Sequence, residues 1–154
     1  MFLLFLITTV LIIACVVFHA SCLQGIGIYM FHGKKYGFPR ISIFIILIVL
    51  AHLVEIMFFA VTFELLSPYP DYGTVSGAAD PTLRDFYYFS ATTYTTTGYG
   101  DFTPEGNLRL LATVEALTGL IMIAWTSSFA FLLMSRYWER RVAAHDSPPD
   151  APVS

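Results

Sequence analysis

Charge is what this sequence has least of. Only 12% of its 154 residues are Asp, Glu, Lys or Arg, about half the roughly 25% of a soluble domain, while 56% are hydrophobic and the mean hydropathy is positive. That excludes a chain with water on every side, and eight basic residues offer no basic face for nucleic acid. Lys and Arg are missing altogether before Lys34. A cleaved signal peptide needs a basic start, and "HASC" resembles a lipoprotein cleavage site only loosely, because His19 stands where an aliphatic residue belongs. The first apolar stretch is therefore read as retained, and it has none of the charges that a voltage sensor requires. Cysteine is scarce too. Cys15 and Cys22 lie seven residues apart on one helix, roughly 10 Å, which no disulfide within one chain can bridge, and they read as small apolar residues. No repeat is present, and the polar, Pro-rich "HDSPPDAPVS" at the end is too short for a ligand-sensing domain.

What the sequence has instead is three apolar stretches, residues 2–30, 41–66 and 108–137. Each can cross roughly 30 Å of hydrocarbon at 1.5 Å per residue, so the fold class is an all-α membrane protein. Lys34, Lys35 and Arg40 lie between the first two stretches, and Arg136, Arg140 and Arg141 close the third. Only Arg84 and Arg109 lie between the second and third, where Asp71, Asp80, Asp85, Asp101 and Glu105 gather instead. The positive-inside rule puts the 34–40 loop and the 138–154 tail in the cytoplasm, and the N-terminus and residues 67–107 outside. Gly25 and Gly27 dispose the first helix to fray or bend before "HGKKYGFPR" stops it. The second helix restarts at Ile41 and ends at "SPYPDYG", which leads into an exposed loop to Ala79. The tail, residues 138–154, is expected to end in disorder.

Between the second and third stretches, "DPTLRDFYYFSATTYT" starts a helix over residues 83–95. Asp80 and Thr82 are alternative N-caps, Pro81 sits near the first turn, and Asp85 completes a capping box with Thr82. A dozen residues cannot span a bilayer, so this helix is expected to enter from outside and return. The non-helical backbone after it is tolerated at depth only where protein buries it or where it lines a water-filled path.

That backbone is "TTTGYGD". A potassium ion crossing a membrane exchanges its water for protein oxygens, and rings of backbone carbonyls supply them when successive C=O groups point inward. Gly98 and Gly100, alternating with Thr97 and Tyr99, take positive φ cheaply and permit that arrangement. Thr96 adds a hydroxyl, and the negative C-terminal end of the short helix favours a cation beside it. The order of helix, short helix, "TTTGYGD" and helix over residues 41–137 resembles the potassium channel pore family, in particular the short bacterial channels with one pore loop per chain. The resemblance implies an outer helix at 41–66, a pore helix at 83–95, a selectivity filter at 96–101 and an inner helix at 108–137. It implies K+ binding at Thr96, Thr97, Gly98 and Tyr99, with Gly100 completing the filter and Asp101 at the outer mouth. Tyr88 and Phe89 would form an aromatic cuff around Tyr99, Gly119 a hinge, and Ile123, Ser127 and Phe131 the cavity and gate. One pore loop per chain is a quarter of a filter, so the resemblance implies a homotetramer in membrane lipid, working in the bacterial inner membrane, with potassium as permeant ion, no cofactor and no catalysed reaction. Three features differ from the family pattern: Thr97 replaces an aliphatic residue, Thr92 stands where some bacterial channels place a carboxylate, and residues 1–33 add a helix.

Ionisable side chains also fall deep inside the spans. His52 and Glu55 share a helix face, and Glu115 lies in the third stretch. They read as a buried polar network, with pH gating through His52 or a metal site as sharper alternatives. His19 and Trp125 read as packing and interhelical hydrogen bonding. With Thr92 in place of a carboxylate, Glu115 is expected to accept hydrogen bonds from Thr92 or Thr93. Rival functions are a weakly selective cation channel, an intramembrane metal or redox protein built on His19, His52, Glu55 and the cysteines, and an accessory subunit.

Overall fold

The computed structural model describes residues 1–31 and 38–146. In chain order the elements are α1 (Phe2–Phe31), α2 (Phe38–Leu66), β1 (Val75–Ser76), α3 (Leu83–Tyr94), β2 (Thr103–Pro104) and α4 (Leu108–Asp146). Helices α1, α2 and α4 are each long and apolar enough to cross a membrane, which makes this a helical integral membrane protein. Their exposed faces carry Phe5, Val10, Val17, Ile46, Leu120 and other large apolar side chains. Several hydroxyls inside the spans bond back along their own helices, among them Thr8 to the Leu4 carbonyl at 2.8 Å and Ser21 to the Val17 carbonyl at 2.7 Å, which keeps these groups satisfied away from water.

Three helix ends differ from the sequence reading. Helix α1 runs unbroken through Gly25 and Gly27 to Phe31. Gly27 brings α1 close to α4, because a Cβ there would lie 3.3 Å from the Phe129 ring. Helix α2 begins at Phe38 rather than Ile41, since Pro39 falls in the first turn, where its missing N–H has no helical partner to lose. Helix α4 continues past 137 to Asp146, through residues that favour helix and ahead of the first proline, Pro148. The disorder expected at the end of the tail, and residues 34–37 of the loop, fall outside the described residues.

Helix α3 packs between α2 and α4, and α1 packs across both of them. The core on one side of the molecule joins Phe59, Phe63, Phe86, Phe89, Leu108 and Leu111, with Phe63 and Phe89 edge to face at 5.0 Å. A second cluster, with Leu23, Met30, Phe44, Ile48, Leu133 and Tyr137, ties the opposite halves of α1, α2 and α4.

The segment after α2 is less open than its Pro and Gly content suggests. β1 and β2 pair antiparallel, Val75 with Pro104 and Ser76 with Thr103. Beside them Glu105 N–H donates to the Thr74 carbonyl at 2.8 Å, Leu108 N–H to Tyr72 at 2.9 Å, and the Asn107 amide to Asp71 at 2.8 Å. This lacing fixes both ends of the glycine segment, one through α3 and the other through β2.

Candidate functional site

Helix α3 starts at Thr82, whose N–H and hydroxyl donate to the Asp85 carboxylate at 2.8 and 2.7 Å. Those bonds, with Arg84 nearby, hold the Asp85 acid below its usual range. At the other end Thr96 N–H bonds the Thr93 carbonyl at 2.9 Å, and Gly98 N–H reaches back to Thr92 at 3.1 Å. The chain then alternates: φ is 57° at Thr96, 53° at Gly98 and 82° at Gly100, and not positive at Thr97 and Tyr99 between them. Left-handed residues at every second position are what turn successive carbonyls toward one side of an extended chain. The sequence gives the two glycines this role but not Thr96, a β-branched residue for which positive φ is strained and held only by its surroundings.

Residues 95–101 are all exposed in the single chain. A Cβ on Gly98 or Gly100 would meet nothing within 4 Å, and Tyr99 is 71% exposed. Tyr99 makes one ring contact, a parallel stack on Tyr88 with centroids 6.3 Å apart and planes at 5°. The Tyr88 hydroxyl bonds Asp101, which raises the phenol above its ordinary value. Phe89 is not part of this stack but is buried against Phe63. A groove of about 450 Å³ runs beside the segment, with Thr93, Thr96, Gly98 and Gly100 on one wall and Thr113 and Ala116 of α4 on the other.

A family model described as an ion channel matches residues 44–136, more than half of the chain. The chain belongs to the ion channel family. Searches of curated proteins and of solved structures return no significant match. In the channel, the matched stretch takes in most of α2, the whole of α3 and the glycine segment, and α4 as far as Arg136; α1 lies outside it.

On α4 of the channel, Ile123, Ser127 and Phe131 share an exposed face. Gly119 does not belong with them. It is buried against the end of α3, where a Cβ would collide with the Tyr94 carbonyl oxygen and come within 2.8 Å of the Tyr94 ring. The helix runs unbroken through it.

Glu115 is fully buried, and its partner is Ser90, not Thr92 or Thr93. The Thr92 hydroxyl instead bonds the Phe89 carbonyl at 2.9 Å. Ser90 also contacts the Ile56 carbonyl at 2.8 Å. Ser90 has one hydrogen for both oxygens, so it satisfies only one of them fully unless Glu115 itself carries a proton.

His52 and Glu55 form a separate group, which His19 of α1, Tyr94 of α3 and Thr126 of α4 complete. His19 Nδ1 lies 2.8 Å from Glu55 Oε1, the Tyr94 hydroxyl bonds Glu55 Oε2, and His52 Nδ1 lies 2.9 Å from the Tyr94 hydroxyl. Both imidazole Nε2 atoms lie 3.1 Å from Thr126 Oγ1. Trp125 covers His19, with ring centroids 5.4 Å apart. His19, His52 and Glu55 bring three possible ligand atoms within 4.8 Å of one another, but these atoms already face hydrogen-bond partners within the group. Both cysteines are free thiols. Tyr94 and Thr126, which close this group, were not visible as functional residues in the sequence.

Proposed function

We propose that the channel is potassium-selective and lets K+ move passively down its gradient. The observation that carries this is the alternation of left-handed φ at Thr96, Gly98 and Gly100. In this reading the carbonyls of Thr96, Thr97, Gly98 and Tyr99 replace the water shell of the ion, with Gly100 completing the filter. The Tyr88 stack behind Tyr99 holds the carbonyls apart at a spacing that suits K+, which favours selective over weakly selective conduction. Asp101 collects cations at the outer mouth. Helix α3, 12 residues long and so about 18 Å, re-enters from the outside and aims its negative end at the ion.

A single chain leaves residues 95–101 and the groove beside them uncovered, and three further copies around a central axis would close both, giving a homotetramer. The Ile123, Ser127 and Phe131 face of α4 then lines the inner cavity, with Phe131 as the constriction. In this reading the protein works in a bacterial inner membrane with its N-terminus outside and its C-terminus in the cytoplasm, an orientation that the placement of Lys and Arg supports. No reaction is catalysed. The test is ion flux into liposomes containing only the purified protein. Potassium and rubidium should pass and sodium should not, whereas equal sodium flux would leave the weakly selective reading and absence of flux an accessory role.

A further inference from the structure

His19, Glu55, Tyr94, His52 and Thr126 do more than touch in pairs. Their contacts run from Glu55 Oε1 through both nitrogens of His19 to Thr126, through both nitrogens of His52 to Tyr94, and back to Glu55 Oε2. The result is a closed ring of five contacts at hydrogen-bond distance, drawn from all four helices.

Hydrogen bonds can be counted, because each needs one hydrogen. A neutral histidine brings one, as do a tyrosine and a threonine hydroxyl, while a carboxylate brings none. Two imidazoles, Tyr94 and Thr126 therefore supply four hydrogens for five contacts; His52 Nδ1 also lies 3.3 Å from Glu55 Oε2, a longer approach that draws on the same hydrogen as its contact with Tyr94. With four, one contact stays open and the ring carries a net negative charge. With five, every contact closes and the net charge is zero. Burial decides between these states. The side chains of His19 and Glu55 have no exposed surface, and an uncompensated charge there is expensive. Neither α1 nor the stretch 41–83 contains Lys or Arg, so the imidazoles are the only groups of the ring that can carry positive charge. The other titratable groups that face the ring are Cys15 and Cys22 on α1 and Glu115 on α4, and none of them is a cation.

We propose that this ring is a binding site for one proton, held on Glu55 or on one of the two imidazoles, and that the bound proton fastens α1 to the end of α3. His52, whose side chain is 15% exposed, is the point of entry. Tyr94 is the last residue of α3, two before Thr96, so a ring that opens releases the side chain that anchors the base of the glycine segment. Helix α1, which the family match leaves out, thereby becomes a support for that segment, and alkaline pH becomes the condition that withdraws it. Only the effect on flux rests on the potassium-channel reading; the proton count does not.

Nuclear magnetic resonance of the purified protein at neutral pH, with 15N in the imidazoles and 13C in the glutamate carboxyls, reads the count directly. The expected result is a protonated Glu55 carboxyl or one doubly protonated imidazole. An ionised Glu55 beside two singly protonated imidazoles would overturn the proposal, as would one transition-metal ion per chain in elemental analysis. In liposomes, flux should fall as pH rises. Glu55→Gln supplies the fifth hydrogen permanently, since its amide donates to His19 while its carbonyl accepts from Tyr94, and it should flatten this dependence. An unchanged pH dependence in Glu55→Gln would refute the coupling to α3. If the protein carries no flux at all, the spectroscopic count still decides the proton site while the channel reading fails.

Discussion

Gly119→Ala is the substitution for which packing and a hinge predict different outcomes. An alanine methyl would sit 2.8 Å from Tyr94 Cγ and 2.9 Å from its carbonyl carbon. Carbon atoms rest at about 3.5–4.0 Å, so α3 and α4 would have to part by about 0.7 Å or more, the difference between 3.5 and the 2.8 Å observed. Changing a rotamer gives little relief, because part of the obstacle is the backbone of α3 and the Tyr94 ring is held at its hydroxyl by Glu55 and His52. Overpacking of this kind costs about 1–3 kcal/mol. The displacement passes directly into Thr95 and Thr96, so loss of stability should be accompanied by loss of ion preference. Denaturation of the detergent-solubilised protein and potassium and sodium flux on the surviving fraction measure both. A Gly119→Ala protein as stable and selective as the parent, changed only in how often it opens, would refute the packing argument and restore the hinge.

Gly98→Ala strains a backbone that holds φ at 53° while adding a methyl to open space; selective flux should disappear while the chain still folds and assembles, as size-exclusion chromatography would show. Ser90→Ala leaves the buried Glu115 and the Ile56 carbonyl without this partner and should cost about 1–3 kcal/mol, whereas Glu115→Gln, whose amide supplies a hydrogen to Ser90, should cost much less in a denaturant titration. A larger loss in the Gln variant would contradict the hydrogen count at that site. The Asp85 acid is depressed in the folded protein, so its contribution is present above its unfolded value of about 3.8 and is lost as pH falls through the lower folded value. Asp85→Asn should remove that part of the acid sensitivity, measured as melting temperature against pH.

The sequence made the architecture legible where the physics is local. Span lengths follow from apolar runs, and the start of α3 follows from Thr82 and Asp85, which act within one turn. Pro39 is ambiguous in the same local terms, since proline both stops a helix and fits its first turn, and the start of α2 moved by three residues. The partner of Glu115 was within reach. Phe86, Phe89 and Ser90 are spaced as one buried face, and Thr92, two residues or about 200° from Ser90, points to the other side. The ring was only half legible. His52 and Glu55 announce themselves by spacing on one helix, but His19, Tyr94 and Thr126 join them through the rotation of three other helices, which no periodicity in so uniformly apolar a sequence reports. The strained φ at Thr96 has no local signal at all, because it is imposed by what lies on either side.

The central claim is that alternating backbone around Gly98 and Gly100 passes potassium and refuses sodium. Its most direct test is the reversal potential of the purified protein in a planar bilayer with potassium chloride on one side and sodium chloride on the other. The account predicts a potential close to that of a membrane permeable to potassium alone, the same with rubidium in place of potassium, and lost in Gly98→Ala. A reversal potential near zero in the unmutated protein would show that potassium and sodium pass alike, and would contradict it.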